Sequence, residues 1–279
     1  MDILSFLWLP FLAALVLTGI HAYLGVHVVE RGVIFVDLSL AQIAALGTTV
    51  ALLAGYDVHS TISYFWSLGF TLIGAAFFAF ARVQRETRIP QEAIIGIVYA
   101  VSAAASILVM SKAPQETEHL KDMLVGNLLA VNWETVIKTA ILYAVIGVFH
   151  YIFRRKFLAI SLEAHNGNAT SIPNLKLWDF LFYASFGVVV TWSVAIAGVL
   201  LVFCYLIVPS VSAMLFARSI GKRLALGWTV AAVVTALGIL LSFKIDLPTG
   251  ATIVVTFGVV LLLLAIVRLF TRSGGTQAA

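Results

Sequence analysis

Charge is what this sequence has least of. Only 11% of its residues are Asp, Glu, Lys or Arg, against about 25% in an ordinary soluble domain. With 62% apolar residues and a mean hydropathy of +1.06, the chain belongs in a membrane, and apolar runs near the ~20 residues of a span recur along it. A single cysteine, Cys204, excludes an intrachain disulfide. No GxxxxGK[ST] stretch occurs, so any ATP that drives this protein is bound by another chain. HExxH and GxSxG are also missing. The histidines (His21, His27, His59, His119, His150 and His165) form no HxH or HxxxH pair, which argues against an intramembrane metalloenzyme. The net charge of +4 does not point to nucleic acid, because the basic residues sit between apolar segments, where orientation signals belong. Residues 1–11 carry Asp2, no basic start and no small-residue cleavage site, so the first segment reads as a retained helix.

What is present is a series of spans. Residues 3–26, 33–54, 62–81, 91–110 and 134–153 each suit one crossing. The stretch 179–217 is too long for one span and too short for two with an ordinary loop, so the reading splits it near 195–198. Two more follow at 224–243 and 250–270. The expected fold is an all-α, polytopic transmembrane bundle of about nine spans (eight to ten), one transmembrane domain over 1–279. The polar stretch 154–178 is expected as a cytoplasmic loop and 111–133 as an extracytoplasmic or re-entrant segment. In that layout Arg31, Arg82, Arg85, Arg88, Arg154, Arg155, Lys156, Lys176, Arg218, Lys222, Arg223, Arg268 and Arg272 share one side. Lys112, Lys121, Lys138 and Lys244 fall on the other. The positive-inside rule makes the first side cytoplasmic, with the N-terminus outside and the C-terminus inside. Asp2, Asp57, Glu116, Glu118, Asp122, Glu134 and Asp246 lean to the outer side. They read either as solvated loop charges or as a vestibule that concentrates cations.

Within the second span, 32–47 carries Asp37, Ser39 and Gln42. A carboxylate inside a span costs roughly 2.5–3.5 kcal/mol or more and faces a bundle interior or an aqueous path. At 100° per residue Ala41, Ala44 and Thr48 share the Asp37 face, a stripe suited to close packing or to lining a narrow path. Gln42 lies about 140° away, near Ser39, so Asp37 and Gln42 do not form one ligand pair on a straight helix. Asp37, Ser39, Gln42 and Cys204 are the candidate path residues, with Cys204 also readable as a small buried hydrophobe. Glu116, His119 and Asp122, at i,i+3 spacing, are the densest set of candidate metal ligands or else an exposed docking loop. His27, Glu30 and Arg31 read as an ion-paired helix end.

Several stretches, in order, resemble the permease subunits of the zinc, manganese and iron ABC importers. GVLLVFCYLIVPSVSA carries Gly198 and Pro209, and LGILLSFKIDLPTGATIV carries Ser242, Asp246, Pro248, Thr249 and Gly250. Glu92-Ala-Ile-Ile-Gly96 precedes Leu124-Val-Gly126-Asn-Leu-Leu129, and Gly25-Val-His-Val-Val-Glu-Arg31 enters the second helix. The resemblance runs from about residue 20 to 265. It implies a prokaryotic inner-membrane protein, a homodimer of this subunit, two cytoplasmic ATPases and an extracytoplasmic substrate-binding protein. The cargo that the resemblance implies is a divalent metal ion (zinc, manganese or iron), with no tightly bound cofactor. It also implies a coupling helix near 161–173, where Glu163, Ala164 and Gly167 fall. The departure is on the second helix. Where relatives carry an Asp and a His four apart, this sequence has Leu38 and Gln42, with Asp37 at the preceding small-residue position. An amide binds transition metals more weakly than imidazole does. The alternatives are a permease for metal chelates or a cobalamin-like cofactor and, more remotely, an intramembrane enzyme.

Overall fold

The computed structural model describes residues 3–57, 60–81, 89–112, 126, 128–166 and 173–273. Among these the regular structure is helical: α1 (Ile3–Arg31), α2 (Val36–Leu53), α3 (Thr61–Phe80), α4 (Gln91–Met110), α5 (Trp133–Ile152), α6 (Arg154–Asn166), α7 (Leu175–Phe216), α8 (Ile220–Ile245) and α9 (Thr249–Ser273), with a single 3₁₀ turn at Leu128–Ala130. Eight of the helices, all but α6, are long and apolar enough to cross a bilayer.

The long segment expected to split does so at Gly198. Helix α7 runs for 42 residues, but Gly198 has φ 76° and ψ 159°, a backbone conformation that a side chain resists. It divides α7 into α7a (175–197) and α7b (199–216). Counting these as two crossings restores nine. Gly126, at φ 65°, lies against the same break, since a Cβ there would stand 2.2 Å from the Ala197 carbonyl carbon and 2.3 Å from the Gly198 nitrogen. Two of the glycines singled out in sequence thus meet backbone to backbone. The 3₁₀ turn follows within the segment expected to be re-entrant.

The stretch 154–178 is not a loop throughout. Phe157, Ile160 and Ser161 are buried at i, i+3, i+4 spacing while Arg154, Arg155 and Lys156 are exposed, so 154–166 folds as an amphipathic helix. Helix α8 likewise begins four residues ahead of the expected span.

The chain divides into two compact units. The first comprises Met1–Val29, Asn127–Leu142 and Leu200–Ala279. In it α1 and α7b approach until side chains are excluded: a Cβ on Gly25 would stand 1.9 Å from the Leu206 carbonyl oxygen. Ser210 donates to the Ala22 carbonyl (3.2 Å) and Trp228 to that of Gly19 (3.0 Å). Tyr205, fully buried, accepts from Thr235 (3.3 Å) and meets Phe257 edge-on. The late motif of the sequence is the α8–α9 turn. Asp246 adopts the left-handed conformation (φ 51°), and the Ser242 hydroxyl contacts both the Leu247 carbonyl (2.6 Å) and the Thr249 hydroxyl (2.8 Å). Pro248 then precedes α9, where a missing N–H costs nothing.

The second unit comprises Glu30–Gly126 and Tyr143–Val199. Helix α2 is its centre, buried on nearly every side between α3 and α4. Gly47 lies on the backbone of Trp66 and Ser67, and Gly74 receives Ile43. At one end an aromatic cluster of Phe149, His150, Phe157, Trp178 and Phe182 joins α5, α6 and α7a. Outward-facing positions such as Val101, Leu108, Val145, Leu262 and Phe270 are exposed and apolar, as lipid contact requires.

Replacing Gly25 by Ala is expected to destabilise the purified permease by about 1–3 kcal/mol, because the methyl group meets backbone that cannot rotate away. Gly147→Ala, where a Cβ meets nothing within 4 Å, is expected to leave the midpoint unchanged or raised. Thermal unfolding of the two variants in the same detergent makes the comparison.

Candidate functional site: a polar seam around the second helix

Hydrogen bonds through the second unit link its helices in turn. Ser67 on α3 donates to the Ala44 carbonyl on α2 (2.9 Å). Thr71, one turn further along α3, shares a bond with Thr191 on α7a (3.0 Å) and donates to the Ser67 carbonyl (2.8 Å). Gly187 makes room for this contact, since a Cβ there would lie 2.6 Å from the Thr71 methyl group. On the other side of α7a, Ser193 bonds the buried Tyr143 hydroxyl of α5. The seam is thus polar throughout yet closed by small residues, which lets the helices approach closely.

Asp37 lies about two turns before Ala44, at the start of α2. It is 1% exposed, in the first turn of α2, and Oδ1 has no hydrogen-bond partner among the described residues. The positive end of the α2 dipole favours a negative charge there. A helix dipole alone offsets only part of the cost of burying a carboxylate. Ser39, fully buried, also has an unpartnered hydroxyl. It lies about 200° round the helix from Asp37, so one straight helix does not aim both at one ion. Glu92, in the first turn of α4, reaches the same end. Its Oε1 accepts from the Phe35 backbone N–H (3.0 Å), supplying a cap that α2 lacks from its own Phe35, and its Oε2 is buried without a partner among the described residues. Oxygen donors of this type suit hard and borderline divalent cations. Among the described residues no three His, Cys, Asp or Glu side chains gather as a preformed metal centre.

The sequence candidates separate as follows. Asp37, Ser39 and Gln42 share α2, with Gln42 half-buried. The Ala41–Ala44 part of the Asp37 stripe is buried, and its Ala44 carbonyl is engaged by α3, so there the stripe is a packing surface. Cys204 is a free, buried thiol on α7b in the other unit. Glu116, His119, Asp122 and Gly167 lie outside the described residues, and for Glu163 and Ala164 only the helical backbone of α6 is described. Glu92 entered the sequence reading only as a motif letter; its role as a cap on another helix is set by a contact 57 residues away in sequence. Arg31 was read as part of a local helix end. It bonds Asp179, 148 residues on, and no local spacing signals such a pair.

The chain is thus a helical protein with many candidate spans, a hydroxyl-lined seam and a buried carboxylate in the first turn of its central helix. The chain belongs to the ABC 3 transport family, whose profile matches residues 4–268. Among its relatives, a probable iron transport system membrane protein of Haemophilus influenzae is 27% identical over 244 residues, covering 87% of this chain and 86% of that one. The manganese transport system membrane protein MntC of Listeria monocytogenes is 30% identical over 203 residues, covering 69% of this chain and 70% of that one. The fold is similar to that of PsaBC from Streptococcus pneumoniae, solved in complex with a Fab, with a TM-score of 0.74 and 22% identity over 93% of this chain and 90% of that one.

Glu92→Ala is expected to lower thermal stability by about 1 kcal/mol, the usual worth of a helix cap. Glu92→Gln is expected to lose less, because the amide oxygen still accepts from Phe35. Melting curves of the two purified variants beside the parent protein test the pair.

Proposed function

We propose that this chain is the membrane subunit of an ATP-driven importer of divalent transition-metal ions, and that Asp37 touches the ion on its way through. The observation that carries the site assignment is the buried Asp37 carboxylate with an unpartnered oxygen at the start of the central helix. Such a group is expensive to keep inside a membrane protein, and contact with a passing cation is the use that offsets the cost. The metal class comes from the relatives named for iron and manganese transport. Without a nucleotide-binding fingerprint of its own, the subunit works with cytoplasmic ATPase chains. A second copy of itself and an extracytoplasmic binding protein complete the assembly. Nucleotide binding shifts the paired subunits between outward- and inward-open packings. The basic-residue bias sets the N-terminus outside and the C-terminus in the cytoplasm.

The purified permease alone is expected to hydrolyse no ATP and to gain transport only with its ATPase. In vesicles holding the assembled complex, Asp37→Asn is expected to cut manganese(II) uptake at least tenfold while complex yield stays normal. Uptake equal to that of the parent would confine Asp37 to packing. Competition by free manganese, zinc and iron against chelated iron separates ion import from chelate import.

A further inference from the structure

A buried ion pair, Arg31 with Asp179, stands apart from the bonds of the seam. The Arg31 and Asp179 side chains are 3% and 0% exposed. One arm of the Arg31 guanidinium donates to Asp179 Oδ1 on α7a (2.9 Å), and its Nε donates to Ser161 Oγ on α6 (2.9 Å). Its plane lies over the Phe182 ring, 3.8 Å from the centroid. Ser161 in turn donates to the Phe157 carbonyl one turn back (2.9 Å), which fixes the hydroxyl that Arg31 addresses.

Helix α6 also makes aromatic contacts. Phe157 stacks on His150 and meets Trp178 and Phe182 edge-on or tilted. Such contacts are non-directional and tolerate sliding. A guanidinium that binds two oxygens on two helices does not, because its donors point in fixed directions in one plane. Its charge, once out of water, makes a broken contact costly. The outer face of α6 opens with exposed Arg154, Arg155 and Lys156, a charged surface offered to another chain. A helix with one face open to a partner and the other keyed by a directional contact moves its keyed neighbour when pushed.

We propose that Arg31 is the register lock that transmits movement of α6 to the start of α7, by tying Ser161 of the one to Asp179 of the other. This rests on the reading of the chain as an ATPase-driven permease. Arg31 is a positioning residue, not a ligand of the cargo.

The test exploits the rule that a buried ion pair exchanged whole for apolar residues of similar size often leaves stability unchanged or raised. In the full complex with its ATPase, Arg31→Met combined with Asp179→Leu is compared with the parent. Two readouts are followed: manganese(II) taken up per ATP hydrolysed, and the change in amide hydrogen exchange on nucleotide binding in 154–166 and in 175–182. The lock predicts that the double variant assembles and hydrolyses ATP but takes up at least fivefold less manganese per ATP. It also predicts that the nucleotide-dependent exchange change persists in 154–166 and is lost in 175–182. An unchanged uptake ratio, or an exchange change retained in 175–182, overturns it. Should the double variant fail to assemble, Ser161→Ala, which spares the ion pair, is read the same way and is expected to lower the ratio by a smaller factor. If the parent complex moves none of manganese(II), zinc(II) and iron(II), the metal-import reading fails, and the exchange readout still decides the lock.

Discussion

Hydrocarbon offers no hydrogen bonds, and this fold is arranged around that fact. Each hydroxyl within the spans has to find a partner in the protein. Most turn back on their own helix: Thr18, Ser106, Thr139, Ser161 and Ser193 all donate to carbonyls three or four residues earlier. A smaller number, Ser67, Thr71 and Ser210, also reach across to a neighbouring helix. Those crossings need close backbones, which is why Gly25, Gly47 and Gly187 stand where a Cβ has no room. Lipid-facing surfaces need none of this and are simply apolar.

Against that background the buried polar atoms without partners are conspicuous. Asp37 Oδ1, Ser39 Oγ and Glu92 Oε2 cluster in sequence or by contact near the start of α2. Many hydroxyls of the spans find a partner, whereas these oxygens, like Ser212 Oγ in the other unit, have none among the described residues. An isolated carboxylate in such a place is tolerated where function demands it. The second buried charge system, Arg31 with Asp179, is the opposite case. It is paired, hydrogen-bonded and stacked on an aromatic ring, and its directional geometry lets it set a register that aromatic contacts leave free. One site holds charge ready for something that arrives; the other holds two helices.

Much of the architecture was legible from the chain alone. Apolar runs of span length gave the helices because hydropathy and length are local properties. The break in the long segment was legible at Gly198, because only a glycine adopts that backbone without strain. Helix α6 was missed as a helix beginning at residue 154 because three consecutive basic residues mask the i, i+3, i+4 pattern that starts at Phe157. The α2 candidates were found because a carboxylate in an apolar run is conspicuous in any register. Glu92 was seen only as part of a motif, since its use depends on where the end of α2 comes to rest.

The sequence by itself determined that this protein crosses a membrane many times, where most of its helices lie, and which carboxylate inside a span needs explaining. Those are consequences of composition and short-range periodicity. Only the tertiary structure decided which side of α2 packs against α3, that Glu92 caps a helix 57 residues away, and that Arg31 reaches Asp179, 148 positions further on. Contacts between residues over a hundred positions apart are fixed by the packing of whole helices, and no spacing along the chain encodes them.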